Sequence, residues 1–268
     1  MPTVPELCRD LAAEQASLDS VLSGLDTADW RRASPAAGWD VRDCLSHLVF
    51  FEEAAALAVT DPGGFDAHRS ELIAGMQSGG APDVAIGRSM DDPAGLLDRW
   101  RVARTRYIDA VTEADAEAAA AGEKLRVPWY GPDMSPGSFT TARILEAWAH
   151  GVDIRDAVGA PLDATERLRH VCHIGYGARA FSFAAHGVAD PGDPIRLEVS
   201  APDGSTWSWG PEDAGDRVTG PALEVALVLA QRRHRSRTGV AATGPTAELW
   251  LSIAQAFAGP ATVTAPDR

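Results

Sequence analysis

The sequence predicts a mainly α chain, with a helical bundle over residues 1–189 and a small α+β domain over residues 190–268. Two observations carry this. Long segments before residue 189 repeat apolar residues at helical spacing. After Ala189-Asp190-Pro191-Gly192-Asp193-Pro194, which reads as a linker, short alternating segments replace them. At 268 residues, with 45% hydrophobic and 23% charged residues, the chain is long enough for two cores of ordinary globular composition.

The first helix is expected over Val4–Leu25, where Leu7, Leu11, Leu18, Leu22 and Leu25 form one stripe. Asp26 to Trp39 is a connector rich in turn residues. Asp40 is a good N-cap, with Asp43 placed as the capping-box acid of a helix from Val41 to about Val59. Phe65 to Met76 reads as a further helical piece, ended by Ser78-Gly79-Gly80-Ala81-Pro82. A long helix from Pro93 to Ala119 follows, with Leu96, Leu97, Trp100, Tyr107 and Val111 on its buried side. Val127 to Gly137 is a Pro- and Gly-rich aromatic loop around Trp129 and Tyr130. Thr140 to His150 is an uninterrupted helix, and Ala164 to Ala185 reads as another. Beyond the linker, Ile195–Val199 and Thr206–Trp209 are strands joined through Pro202-Asp203-Gly204, and Pro221–Gln231 and Thr246–Phe257 are helices.

Composition narrows the function. A net charge of −14 opposes nonspecific binding to nucleic acid or anionic membrane, since the overall field repels phosphate. The basic run Arg232-Arg233-His234-Arg235-Ser236-Arg237 has no aromatic partner nearby and does not reverse that expectation. No apolar run reaches a membrane span, and Glu6, Arg9 and Asp10 stand where a signal peptide needs its apolar core. Cys8, Cys44 and Cys172 are an odd count without a CxxC, which fits a reducing cytoplasm. Lys124 is the only lysine, against 23 arginines among the 24 basic residues, a pattern of GC-rich coding that suits a high-GC bacterial source.

Glu146 and His150 are four residues apart, so both leave one face of their helix. By spacing alone they are either half of a metal site or an ordinary surface pair. His47, on a helix face shared with Asp43, Cys44 and Phe51, is a third candidate. Three such ligands would leave a position open for water or substrate, as catalytic zinc sites do, and the same donors suit iron(II). Asp43 and Asp153 are placed to accept the second imidazole N–H of their histidines. Cys44 reads as a small buried residue, and His170 and His173 as a weaker rival pair lacking a third partner.

These segments carry a family resemblance. Gly38-Trp39-Asp40-Val41-Arg42-Asp43-Cys44-Leu45-Ser46-His47-Leu48 resembles the G-W-x-V-x-D-x-x-x-H-L signature of the DinB-like superfamily. Glu146-Ala147-Trp148-Ala149-His150-Gly151-Val152-Asp153-Ile154-Arg155-Asp156-Ala157 resembles the E-x-W-x-H-x-x-D-x-x-x-A segment of the mycothiol-dependent maleylpyruvate isomerase family. Gly220 to Gly259 resembles that family's small, sterol-carrier-like C-terminal domain.

The resemblance implies a four-helix bundle in which His47, Glu146 and His150 hold a divalent metal, zinc first, with iron, manganese or nickel as alternatives. It also implies mycothiol as thiol cosubstrate and an enzyme, an isomerase or S-transferase, acting on a small electrophilic anion. Arg232 is the best match to the arginine which that family's C-terminal domain sends to the active site, and Arg233 is next. Trp129 and Tyr130 either wall the substrate pocket or plug the bundle end. Their loop is similar to that of a sister subfamily rather than of the isomerase proper. The rival readings are a non-catalytic metal or ligand sensor and a metal enzyme that activates water without a thiol. A cytoplasmic monomer or homodimer is expected in each case.

Overall fold

The computed structural model describes residues 2–77 and 92–268. The chain divides into two compact units, Met1–Pro161 and Leu162–Arg268. The predicted break at Ser78-Gly79-Gly80-Ala81-Pro82 lies outside the described residues.

The first unit is built from α1 (Val4–Leu22), α2 (Val41–Thr60), α3 (Pro62–Gln77), α4 (Pro93–Ala121) and α5 (Pro136–Val158). Helix α2 packs on both α4 and α5, and α1 packs on the same two, which closes a four-helix arrangement. Capping explains the helix starts. Thr3 and Glu6 form one capping box and Asp40 and Asp43 another, while Asp92 and Ser135 cap helices that open on proline. Because Ser135 is the cap, α5 begins at Pro136, four residues earlier than the sequence reading placed it. The preceding loop is closed by Val127 and Met134, each donating its N–H to the other's carbonyl at 2.9 Å.

Apolar clusters among the described residues fill the interior of this unit. One gathers Leu7, Leu11, Phe65, Tyr107, Phe139 and Ile144. Another gathers Leu18, Trp30, Leu45, Leu48, Trp100 and Ile154. His150 falls between Ala147 of the first cluster and Ile154 of the second, while Glu146 lies beside Ile144 and Ala147 of the first and His47 beside Leu45 and Leu48 of the second. Gly38 has φ +79°, a left-handed backbone that glycine adopts without strain. That turn brings Trp39 round ahead of α2.

The second unit holds α6 (Leu168–Gly177), α7 (Arg179–Ala185), α8 (Ala222–Leu229) and α9 (Pro245–Ile253). Its sheet contains β1 (Ile195–Ser200), β2 (Thr206–Trp209), β3 (Asp216–Pro221) and β4 (Ala241–Thr243), in the order β2-β1-β3-β4. The β1–β2 hairpin is antiparallel as expected, with Leu197 opposite Trp209. Strand β3 pairs parallel to β1 and antiparallel to β4. The helix expected over Ala164–Ala185 is two helices meeting at Ala178. The sequence reading assigned this segment to the bundle, but it groups with the sheet. Gly175 lets α6 approach α8 so closely that a Cβ there would sit 2.6 Å from Leu229 Cδ1.

Helix α8 ends in a Schellman motif. Arg232 N–H donates to Leu227 O at 2.7 Å and Gln231 N–H to Val228 O at 3.0 Å. Gln231 takes the left-handed position at φ 57°, where glycine is the usual residue. Its side chain offsets the strain: Nε2 donates to Ala254 O and Thr262 O, and Oε1 accepts from Thr262 Oγ1. No described helix is long and apolar enough to cross a membrane. The three cysteines are buried and form no disulfide.

Candidate metal centre

Two helices supply the centre. Asp40 fixes the first turn of α2, and His47 follows two turns later. Helix α5 presents Glu146 and His150 one turn apart. His47 Nε2 lies 3.7 Å and His150 Nε2 3.6 Å from the same oxygen, Glu146 Oε2. Among the described residues these three form the one group of histidine, cysteine and acidic side chains whose ligand atoms all lie within 4.8 Å of one another.

The spacing discriminates between a hydrogen-bonded cluster and a metal site. Both N–O separations exceed hydrogen-bond length. Ligands at zinc distances of about 2.0–2.1 Å, set tetrahedrally, stand roughly 3.4 Å from one another. The separations of 3.6 and 3.7 Å are compatible with such a donor set, and His47 is the side chain that joins Glu146 and His150 in it. The side chains of His47, Glu146 and His150 are 16, 27 and 11% exposed, which leaves an open side. Burial opposes ionisation of Glu146, but the two imidazoles and the Arg143 charge outweigh it and hold this carboxyl well below the usual carboxylate range.

The neighbours are aromatic. Trp39 stacks on His150 at 5.6 Å and 13°, and lies 5.1 Å from the His47 ring. Phe51 lies 4.5 Å from His47 and continues to Trp129 and Tyr130 at 6.1 and 5.6 Å. Phe65 stacks on Trp129. Helix α3 ties down this wall, for Arg69 donates to Trp129 O at 2.7 Å and His68 Nε2 shares a hydrogen bond with Tyr130 OH at 2.7 Å. Burial pushes the Tyr130 phenol up to about 12, so it stays protonated at neutral pH.

Other sequence candidates resolve locally. Asp43 Oδ2 accepts from Asp40 N–H in the capping box. Asp153 faces His150 Nδ1 at 3.4 Å. Cys44 is wholly buried among the apolar residues of α2. His173 accepts a hydrogen bond from Trp209 Nε1 at 3.1 Å within the second unit. Arg232 and Arg233 also belong to the second unit. Arg232 donates to Ala230 O at 2.8 Å, with its guanidinium 6.0 Å from the Phe257 ring centre, and Arg233 donates to Arg232 O at 2.8 Å. Sequence reasoning overlooked Arg143 and His68. Arg143 sits one turn before Glu146 on a recognised helix, so its spacing was a usable signal. His68 had none, because its partner is sixty-two positions away.

A four-helix bundle that brings two histidines and a glutamate together from facing helices offers a candidate metal centre. Residues 11–155 match the family described as "Mycothiol maleylpyruvate isomerase N-terminal domain", and the chain belongs to that family. Two relatives, uncharacterized proteins MT0041 and Rv0036c of Mycobacterium tuberculosis strains CDC 1551 and H37Rv, are each 40% identical over 251 residues, covering 94% of this chain and 95% of theirs. Crystal structures of the mycothiol-dependent maleylpyruvate isomerase and of a histidine-to-alanine mutant of it share the fold. Their TM-scores are 0.57 and 0.59 at 18 and 16% identity, over 92% of this chain and 96% of theirs.

Proposed function

We propose that this protein is a metal-dependent enzyme that uses a low-molecular-weight thiol, mycothiol, to isomerise or thiolate a small electrophilic anion. The convergence of His47 and His150 on one oxygen of Glu146 carries the reading. Membership of a family named for a mycothiol-dependent isomerase supports the thiol.

His47, Glu146 and His150 would hold the ion, with zinc the best fit to the donor set. A divalent ion bound there supplies a Lewis acid that favours the thiolate form of a coordinating thiol. Asp153 fixes the orientation of the His150 ring. Trp39 and Phe51 cover the imidazoles and keep water from them. Trp129 and Tyr130 wall the substrate side, where the Tyr130 phenol can donate to an oxygen of the electrophile.

In the reaction the thiolate sulfur bonds to the β-carbon of a conjugated alkene, and the π pair moves onto the carbonyl oxygen as an enolate. Rotation about the resulting single bond and expulsion of the thiolate give the trans alkene. An S-transferase would instead protonate the adduct or lose a leaving group from it.

The test incubates zinc-loaded protein with maleylpyruvate and other cis-enoyl acids, with and without mycothiol, and follows products and thiol adducts by mass spectrometry. The reading requires conversion that needs mycothiol and is lost in His150→Ala. Conversion that continues unchanged without any thiol would mark water activation, and absence of turnover despite tight zinc binding would mark a sensor.

A further inference from the structure

Arg143 is a buried cation that makes no close ion pair with the carboxylates of the bundle. It lies on α5 with 4% exposure. Its guanidinium carbon stands 5.0 Å from the centre of the Trp129 ring and 5.9 Å from that of Phe139. Its Nε has no hydrogen-bond partner, and it makes no ion pair among the described residues. A buried, unpaired charge is costly, and a fold gains by keeping one where a ligand completes it.

The two available carboxylates do not fill that role. Glu146 directs its oxygen to the two histidines. Glu52 is 1% exposed and its Oε2 also lacks a partner. Burial raises the Glu52 carboxyl to about 7, and the Arg143 charge only partly opposes it. The Arg143 charge acts on both carboxyls from a distance, and its guanidinium donors are left without a carboxylate in hydrogen-bond reach. A guanidinium lying on an aromatic plane presents a fixed fork of donors suited to a carboxylate. Its aromatic partner Trp129 leads through Phe51 to His47.

We infer that Arg143, stacked on Trp129, is the carboxylate-recognition residue of the pocket beside His47, Glu146 and His150. The ligand it selects is a small organic acid whose far end reaches the three ligands. This rests on the reading of that pocket as the substrate site, and it locates an anion fork within the first unit itself, separate from Arg232 and Arg233.

Calorimetric titration with succinate and with its neutral diamide tests it. The full chain is used both zinc-loaded and stripped by a chelator, so that carboxylate binding to the ion is separated from binding to arginine. Zinc-free wild type should bind succinate about tenfold or more tighter than the diamide, and Arg143→Met should erase that preference. Equal succinate affinity in wild type and Arg143→Met, or no binding to the wild type, overturns the assignment. Should Arg143→Met fail to fold, the Arg143 Nε–H resonance, identified by its loss in Arg143→Lys, must shift with succinate and not with the diamide. A resonance that stays still overturns the assignment equally. Zinc stoichiometry in the same samples reports separately on the metal reading.

Discussion

His150 turns Nδ1 toward the Asp153 carboxylate, 3.4 Å away and fully buried, while its Nε2 faces Glu146. The two residues are three apart on α5, so one helical turn supplies both the candidate ligand and the carboxylate beside its second ring nitrogen. Such a carboxylate sets the tautomer that frees Nε2 for a metal and makes the imidazole more basic.

Asp153→Asn should therefore weaken zinc binding by about 10–100-fold without removing any ligand. Competition titration against a chromophoric chelator measures this. Unchanged zinc affinity in a folded variant would show that Asp153 serves packing alone.

Glu52 gives the bundle a pH signature. Below about 4.5 its carboxyl is protonated in both the folded and unfolded chain. Between 4.5 and about 7 the unfolded chain releases the proton and the folded chain keeps it, so stability falls as pH rises. The loss is complete above about 7 and is worth ~3 kcal/mol. Glu52→Gln should match the wild type near pH 4.5 and exceed its stability by about that amount at pH 8. Urea unfolding across this range checks it, and parallel profiles for the two proteins would contradict it.

The sequence reveals most of the bundle because its helices carry their own instructions. Leu7 to Leu22 fixes α1 by spacing, and Asp40 with Asp43 fixes the start of α2. The second unit is less legible. Strand β3 ends in Gly220-Pro221 and pairs parallel to β1, and parallel pairing leaves no local turn signal. The close approach of α6 to α8 at Gly175 is a tertiary contact invisible to periodicity. In the site, Glu146 and His150 announce themselves by spacing, and His47 by its motif. Arg143 is in plain view on the same helix, but its burial against Trp129 is a matter of packing that spacing does not reveal. The His68–Tyr130 contact joins α3 to a distant loop and has no local pattern to betray it.

The central claim is that His47, Glu146 and His150 together hold one metal ion. Its most direct test is metal content by inductively coupled plasma mass spectrometry after equilibration with zinc and exhaustive dialysis. Wild type should retain about one zinc per chain, and His47→Ala, Glu146→Gln and His150→Ala should each lose most of it while remaining folded by circular dichroism. A wild-type chain that retains no zinc, iron, manganese or nickel, or variants that keep the full complement, would contradict the account.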